Sequence, residues 1–431
     1  MWQTIKSWAG RHRRLGTLLV AVAVLAGLAG SVHAFGMYRW NQARSALSQG
    51  KGAEAYNQVA PCLRIWPWSV STQLFGARTA RVAGHPEESE ALLKKCLRLQ
   101  HGASPEIQLE FLLLRVQMGE VDDVAGILTQ MVDEDHPESQ MILETLAGAY
   151  MHNLRYRPAL AVLNRWIRYD PDAAKAYEWR GWVYDRMNYP KDSLQDFLKA
   201  LELDPNMIPA RLRAAEIYME RSNPPEAEPH LEYLVKNFPE RADARGRLGQ
   251  CRVLQGRDDE ARGLLEQAVE GAPNDPLILI YLAKLDIRQG RPERAEKWLR
   301  RLLEIDGSDI EARYNLFNAL QLQGRKEEAT TTLEEYERYK KAMEKANHLL
   351  KIEAENPGRS AQYPSEAGQL LLSIGQDRLG VYWLNKALER EPRHEPTHQA
   401  LMEHFDKKGD KERADYHRRF LPSSAKSAYS K

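Results

Sequence analysis

The sequence predicts an all-α fold, an α-solenoid of helix-turn-helix repeats, from a periodic pattern that begins near Gln140. Pro171, Pro205 and Pro239 recur at intervals of 34 residues. A second position of the same period is always small, being occupied in turn by Ala159, Ser193, Ala227, Ala261, Ala295 and Ala329. A fixed period of this size is the signature of stacked supersecondary units, each of which needs neighbours to bury its apolar face.

Each repeat is predicted to contain two short amphipathic helices, as the repeat that starts at Ala242 illustrates. Gly256 breaks the chain, and Ala261, Leu265 and Ala268 follow at spacings of four and three residues. Those spacings place apolar side chains on one face of a helix. The alanine that begins this series is small because two helix backbones pass closely there. The proline that closes each repeat cannot continue a helix.

The repeats resemble those of the tetratricopeptide repeat (TPR) family. The repeat at 174 matches the family's large, small, aromatic and closing proline positions with Tyr177, Gly181, Tyr184, Phe197, Ala200 and Pro205. Its Arg180 departs from the family at the leucine position. The resemblance implies a right-handed TPR superhelix of about eleven repeats over residues 38–421, with weaker copies before residue 140. It also implies a scaffold that binds other proteins, because the fold alone carries no specific activity.

The N-terminus differs in kind from the repeats. Residues 1–14 are predicted to be a short basic cytoplasmic segment, and residues 15–37 a transmembrane signal-anchor. The uncharged stretch from Leu15 to Val32 would span roughly 27 Å as a helix, close to the roughly 30 Å of a hydrocarbon core.

The residues around this segment suggest its orientation. Tyr38 and Trp40 are the types found in the headgroup layer, and basic residues before a span favour the cytoplasmic side. The sequence therefore predicts a single-pass membrane protein with an extracytoplasmic TPR domain. The alternative is a secretion signal cleaved near Ala34.

Two segments depart from the repeat period near the C-terminus. A helical insertion is predicted near 342–360, where helix-favouring sequence continues past the expected end of a repeat. It is either an arm for a partner helix or an elongated helix that lies on the following repeats. Residues 422–431 are polar and aperiodic, and are predicted to be a disordered tail.

The composition favours a helical array and argues against nucleic-acid binding. Lys and Arg number 61 against 60 Asp and Glu, so no net positive field attracts a polyanion. Cys62, Cys96 and Cys251 have no short spacing and are predicted to be small buried residues. No cofactor is predicted.

One short motif spells a zinc-peptidase signature, His394-Glu395-x-x-His398, with His404 at a third-ligand spacing. The signature requires both histidines one turn apart on a continuous helix. Pro396 instead belongs in the first turn of a helix, which leaves His394 outside it. We therefore predict neither a metal site nor a catalytic site, and a zinc metallopeptidase is the alternative.

The family resemblance implies a binding groove lined by the first helix of each repeat, at repeat positions 2, 5, 6, 9, 12 and 13. Aromatic and Arg side chains there are the types that anchor interfaces, and Asn offers both a donor and an acceptor to a peptide backbone. The candidate groove residues are Lys175, Glu178, Trp179, Trp182, Arg213, Arg247, Tyr281, Lys284, Arg288, Tyr314, Asn315 and Asn318.

The resulting functional hypothesis is a membrane-anchored TPR scaffold, similar to the membrane-anchored TPR proteins of bacteria. It would bind a protein or peptide ligand in its groove, in assembly or recruitment at the cell envelope, with residues 15–37 in the membrane. A self-assembling, homo-oligomeric structural protein of the envelope is a further alternative.

Overall fold

The computed structural model describes residues 2–355, 358 and 360–422, with the side chains of residue 22 and of residues 24 onward. This part of the chain contains 22 α-helices and no strand, which confirms the all-α prediction. Two compact units divide the chain, unit 1 (Met1–Ala210) and unit 2 (Arg211–Lys431). The helices of unit 1 are α1 (Trp2–Ser48), α2 (Gly52–Ile65), α3 (Val70–Val82), α4 (Pro86–Gln100), α5 (Pro105–Gln117), α6 (Val121–Asp133), α7 (Ser139–His152), α8 (Tyr156–Tyr169), α9 (Ala174–Arg186) and α10 (Pro190–Leu203).

Unit 2 continues the series of helix pairs. Helix α11 (Ile208–Glu220) begins just before the boundary between the units. The remaining helices are α12 (Pro224–Asn237), α13 (Ala242–Leu254), α14 (Asp258–Gly271), α15 (Pro276–Arg288), α16 (Pro292–Ile305), α17 (Ile310–Leu322), α18 (Lys326–Glu355), α19 (Gln362–Ser373), α20 (Asp377–Arg390), α21 (Glu395–Lys407) and α22 (Lys411–Arg418). The starts of α13, α15 and α17, at residues 242, 276 and 310, keep the 34-residue period.

Close approach of the two helices explains the small residues within a repeat. A Cβ atom added to Gly249 on α13 would lie 2.6 Å from Cγ of Leu265 on α14 and 3.4 Å from the carbonyl oxygen of Ala261. Such distances leave no room for a methyl group, because protein interiors are close-packed. The buried core accordingly lies between successive helices.

The turn inside each pair uses a left-handed residue. In unit 2, Gly256 and Gly290 have φ of +77° and +69°. In unit 1, the turns after α7 and α9 use Leu154 and Asn188, with φ of +57° and +63°. A left-handed backbone is free of steric cost only for glycine, so Leu154 holds a strained conformation.

The predicted membrane anchor is wrong. Among the residues that the structure describes, no helix has an apolar stretch long and hydrophobic enough to cross a membrane. This finding overturns the signal-anchor at 15–37 and the single-pass membrane protein with an extracytoplasmic domain. Residues 15–37 lie inside α1, which has 47 residues and continues through both predicted borders. Ala34, the alternative cleavage position, also lies inside α1.

The packing of α1 changes within the predicted span. The larger apolar side chains from Leu25 to Val32 are exposed. The C-terminal part of the predicted span belongs to the repeat core instead. Gly36 lies against Trp66, where a Cβ would approach the ring to 2.6 Å, and Trp40 contacts Phe75 with 4.6 Å between ring centroids.

The helical insertion forms the second half of α18, which has 30 residues. Ala346 and Leu349 are buried in a cluster with Ala367 and Leu371 of α19. Near the end of α18, the carboxylate of Glu353 accepts hydrogen bonds from Arg390 of α20, one of them at 2.7 Å. The insertion therefore packs on the following helix pair over the residues described.

Two smaller predictions have different outcomes. Cys62, Cys96 and Cys251 are unpaired and fully buried, as predicted. Burial raises the pKa of the Cys96 and Cys251 thiols to about 11, so both stay protonated and unreactive. The disordered tail stays a prediction, because residues 423–431 lie outside the described part of the chain.

Candidate functional site

Unit 1 contains an open groove of about 780 Å³, which we call the unit 1 groove. Its lining comes from the first helices of successive repeats and the turns that follow them. Ligand sites in proteins are typically concavities of this size with an apolar lining and a few polar groups. The lining residues are Leu47, Gly50, Arg78, Arg81, Val82, Gly84, Pro86, Val116, Gln117, Met118, Gly119, Met141, Glu144, Thr145, Gly148, Ala149, His152, Asn153, Lys175 and Trp179.

One wall of the unit 1 groove is held by a buried ion-pair cluster. Nε of Arg81 donates to Oε2 of Glu110 at 2.9 Å, and Nε of Arg78 donates to Oε1 of the same carboxylate at 2.5 Å. Arg78 also reaches Glu138 at 3.1 Å. Arg81 and Glu110 are 2% and 0% exposed. A pair this buried is fixed in place, because separating it would leave a charge without compensation.

The pKa of Arg78 reflects the same cluster. Burial by itself lowers the pKa of this guanidinium, but the carboxylates of Glu110 and Glu138 outweigh it and raise the pKa above the ordinary value. Arg78 therefore stays charged at any physiological pH and contributes a permanent cation to the groove wall.

The other wall is formed by Trp179 of α9. Its ring lies edge-on to the buried Trp166 at 5.9 Å, and the ammonium of Lys175 lies 4.8 Å from its centroid. Lys175 also pairs with Glu144 of α7. The edge of the ring, at Cη2 and Cζ3, lies against Gly148, where an added Cβ would be 3.5 and 3.6 Å from these atoms. Trp179 and Gly148 both line the groove.

Two of the four candidate residues in unit 1 lie outside this lining. Trp182 packs on Tyr156, with 6.0 Å between ring centroids, and Arg186 lies over its ring at 4.9 Å. Glu178 is partly buried, and burial raises the pKa of its carboxyl, against a smaller opposite effect of Lys175. The structure thus brings Lys175 and Trp179 into the groove and places Glu178 and Trp182 beside it.

In unit 2 the candidate residues pair with one another along the first helices. The carboxylate of Glu216 on α11 accepts from Arg213 at 2.8 Å and from Arg247 of α13 at 2.5 Å. On the next helix, Gln250 donates to the hydroxyl of Tyr281 on α15 at 3.1 Å. These polar contacts join each first helix to the next one.

The remaining candidates of unit 2 are also engaged. Lys284 pairs with Glu311 and lies over the ring of Tyr281 at 4.7 Å. Arg288 pairs with Asp258 at 3.0 Å. Asn315 donates to the carbonyl oxygen of Glu311 at 2.8 Å, one turn back along α17, rather than presenting both polar groups to a ligand.

Two candidates on α17 are less constrained. Tyr314 is exposed and contacts Tyr336 of α18, with 5.2 Å between ring centroids. Asn318 is partly buried. These two side chains lie on the same helix, so they offer a local polar and aromatic surface rather than a groove that crosses several repeats.

The histidines of the zinc-peptidase signature do not converge. His394 precedes α21, and its Nδ1 bonds the hydroxyl of Thr397 at 2.7 Å. His398 is buried, with Nδ1 against His417 at 2.9 Å and Nε2 against the carbonyl oxygen of Pro392 at 3.0 Å. Both nitrogens of His398 are therefore engaged, and His404 instead faces Asp377 at 3.8 Å. No group of three or more potential ligands that could hold a metal is present over the described ranges.

Sequence reasoning missed most of the unit 1 groove, although a signal for it existed. The repeat that starts at Gln140 carries five lining residues at groove positions 2, 5, 6, 9 and 13: Met141, Glu144, Thr145, Gly148 and His152. These are the positions that predict groove residues in the later repeats, and they would have predicted this part of the lining as well. The arginines on α3 belong to a weaker copy of the repeat, in which positions are hard to number.

Comparison with known families identifies the repeats. Models described as tetratricopeptide repeat match residues 174–207, 212–276, 259–312 and 287–342. The chain therefore contains TPR repeats, as the sequence predicted. These matches concern the repeats, and they carry no information about an anchor or a bacterial source.

Similar curated proteins share stretches of the same kind. The chain is 27% identical over 179 residues to human Protein O-mannosyl-transferase TMTC3. This match covers 39% of this chain and 19% of the human protein. The chain is also 30% identical over 121 residues to TPR repeat-containing protein PA4667 of Pseudomonas aeruginosa. That match covers 28% of this chain and 20% of the Pseudomonas protein. The chain thus spans about a fifth of the length of these relatives. The crystal structure of PilW, a widely conserved type IV pilus biogenesis factor, is 19% identical, with a TM-score of 0.41, over 45% of this chain and 90% of that one.

Proposed function

We propose that this chain is a TPR scaffold that holds a segment of a partner protein in the unit 1 groove and recruits that partner into an assembly. The observation that carries the proposal is the groove between the first helices of unit 1, where Trp179 of α9 lies against Gly148 of α7 and both line the groove. Stacked repeats create extended surfaces of this kind, and buried aromatic residues are the usual anchors of such interfaces.

The lining indicates an apolar component in the partner segment. The groove lining includes four apolar side chains beside the ion-pair wall and Trp179, namely Val82, Val116, Met118 and Met141. Methionine side chains are flexible and polarizable, so they adapt to different apolar ligands. An aliphatic or aromatic side chain of the partner fits this part of the groove.

The charges indicate an acidic component. Arg78, Arg81 and Lys175 contribute three cations to the lining, and Glu144 one carboxylate. Arg81 is fixed by the buried Glu110, whereas Lys175 pairs with a Glu144 that is 39% exposed. Exposed ion pairs are weak and exchange readily. A carboxylate of the partner is therefore expected to replace Glu144 at Lys175 and to face the permanently charged arginines.

A peptide selection tests this proposal. The full-length chain is immobilised and used to select from a random peptide library, and the same selection is run on Gly148→Gln and Gly148→Ala. We expect enrichment of peptides that combine Asp or Glu with apolar residues. Gly148→Gln fills the space beside Trp179 and should weaken binding at least about tenfold, which is about 1.4 kcal/mol.

The alanine variant is the matched control. A Cβ at Gly148 would make an ordinary 3.5 Å contact with Trp179, so Gly148→Ala should keep the selected peptides. Equal binding by Gly148→Gln, or selected peptides without acidic residues, would contradict the proposal. Self-assembly stays an alternative prediction, and sedimentation velocity of the same samples measures it directly.

A further inference from the structure

The last helix pair of unit 2 contains two buried histidines in direct contact. His398 on α21 and His417 on α22 are 1% and 7% exposed. Their Nδ1 atoms are 2.9 Å apart, and Nε2 of His398 lies 3.0 Å from the carbonyl oxygen of Pro392. Two imidazoles at this distance share one hydrogen bond, so exactly one of the facing nitrogens carries its proton.

The contact to Pro392 fixes the arrangement of protons. A carbonyl oxygen only accepts, so Nε2 of His398 carries a hydrogen. Neutral His398 then has an unprotonated Nδ1, which accepts from the Nδ1–H of His417. The pair is satisfied when both rings are neutral, and it links α21 to α22.

The surroundings provide no counter-charge for a protonated pair. The ring of His398 stacks on Phe420, with 4.2 Å between ring centroids and 9° between ring planes. The ring of His417 stacks on Phe405, with 5.9 Å between centroids and 12° between planes. Neither ring forms an ion pair within the described part of the chain. Several charged and titratable groups of the adjoining elements contact other residues: His394 with Thr397, Asp377 with Lys408 and His404, Arg390 with Glu353, Arg413 with Asp410, and Arg418 with Asp406. Other charged groups of these elements are exposed to solvent: Glu391, Arg393, Glu395, Glu403, Lys407, Lys411, Glu412, Asp415 and Arg419.

Protonation consequently opposes the closed arrangement. A second proton on the pair would set one N–H against another at 2.9 Å, and the apolar rings around it cannot solvate the charge. Burial and, to a smaller extent, the neighbouring His398 lower the pKa of His417 to about 4. Both the contact geometry and the lowered pKa of His417 therefore favour a pair in which both rings are neutral.

We propose that His398 and His417 form an acid-released latch that holds α22 as a cap on α21. The cap is small, since α22 has 8 residues, and it contributes Ala414 and the following Leu421 to an apolar cluster with Leu401 and Met402. Release of the latch at low pH therefore uncovers the apolar side chains of α21 that the cap covers.

The direction of the pH effect follows from proton linkage. The pKa of His417 in the folded cap, about 4, lies below the ordinary value of about 6.5, so the open form binds more protons between these values. The latch is fully present above pH about 6.5 and weakens as the pH falls toward 4. One proton taken up on opening changes the opening equilibrium about tenfold per pH unit in this window.

Hydrogen exchange of the full-length chain tests the latch. Protection factors of α22 and of α15, which serves as internal reference, are measured between pH 7.5 and 5. We expect those of α22 to fall by about tenfold per pH unit below pH 6.5, with α15 unchanged. In His417→Gln the side-chain amide still donates to His398 but does not titrate, so the pH dependence should disappear. His348→Gln, at an exposed histidine of α18, should retain it.

The parent chain and His417→Gln together show whether the two histidines form the latch. A pH-independent α22 in the parent chain, or the same slope in His417→Gln, overturns the proposal. If His417→Gln has already lost protection at pH 7.5, the ¹⁵N shifts of the parent's ring nitrogens decide instead. A titration midpoint of the pair well below 6.5 that coincides with cap opening supports the latch, and a midpoint near 6.5 overturns it.

Discussion

The first helices of unit 1 and unit 2 use the same repeat positions but leave different surfaces. Where α7 meets α9 in unit 1, position 9 of one repeat is Gly148 and position 6 of the next is Trp179. The equivalent contact of unit 2 is an ion pair between Glu216 and Arg247 at 2.5 Å. Each pair is separated by 31 residues, 179 minus 148 and 247 minus 216. In unit 1 the glycine contact lies on the lining of the groove, whereas in unit 2 two complementary polar residues pair across the contact and close it.

The difference shows that a repeat position alone does not identify a binding residue. Position 6 carries a large side chain at both contacts, but the residue 31 places earlier decides whether that side chain packs on a glycine or forms an ion pair. In unit 2, Gln250 and Tyr281 repeat the closed arrangement one helix further on, at 3.1 Å. Binding surfaces of a repeat array are therefore a property of neighbouring pairs of repeats.

The largest expected effect concerns the buried charges of unit 1. Glu110→Ala removes the carboxylate shared by Arg78 and Arg81 and leaves Arg81, which is 2% exposed, without compensation. We expect a loss of about 3–5 kcal/mol in the local free energy of unfolding, because an unpaired buried charge is costly. Hydrogen-exchange protection of α3 and α5 measures this loss.

The matched variant in unit 2 is Glu216→Ala. This carboxylate is 19% exposed and also bridges two arginines, Arg213 and Arg247. Ion pairs near the surface contribute about 0–1 kcal/mol, so the same measurement on α11 and α13 should change little. If the two substitutions had equal effects, the distinction between a structural ion pair in unit 1 and surface pairs in unit 2 would be wrong.

A smaller effect is expected at the turns inside the helix pairs. Leu154→Gly in unit 1 relieves a left-handed backbone with φ of +57° and should stabilise the fold by about 0.5–1 kcal/mol. The reciprocal Gly256→Leu, at φ of +77° in unit 2, should destabilise it by about 1–2 kcal/mol. Calorimetric midpoints of the two full-length variants should therefore move in opposite directions, and shifts in the same direction would contradict the strain assigned to Leu154.

The repeat architecture was predictable because its signals are local and repeated. Small residues at positions such as Gly249 and Ala261, and the 34-residue spacing, follow directly from close helix packing. Of the unit 1 groove, Lys175 and Trp179 were predictable from their positions in a well-formed repeat. Arg81 was not, because its position in the groove wall depends on the buried Glu110 in another repeat.

The wrong anchor near the N-terminus and the rejected metal motif near the C-terminus show the same limit of local sequence patterns. The segment at 15–37 has the length and the basic flank of an anchor, but α1 continues beyond it, and Trp40 packs into the repeat core. The alternative reading of His394 and His398 as metal ligands depended on spacing, whereas both nitrogens of His398 are engaged by His417 and Pro392. Spacing within a short segment cannot report contacts that are made by another helix.

The most direct test of the central claim is hydrogen exchange of the full-length chain with and without a selected acidic, apolar peptide. Our account predicts that the peptide protects α7 and the first turns of α9, around Gly148, Lys175 and Trp179, and leaves α13 and α15 unchanged. Protection centred on α13 and α15, with α7 unchanged, would show that the closed face of unit 2 is the binding surface and would contradict the account.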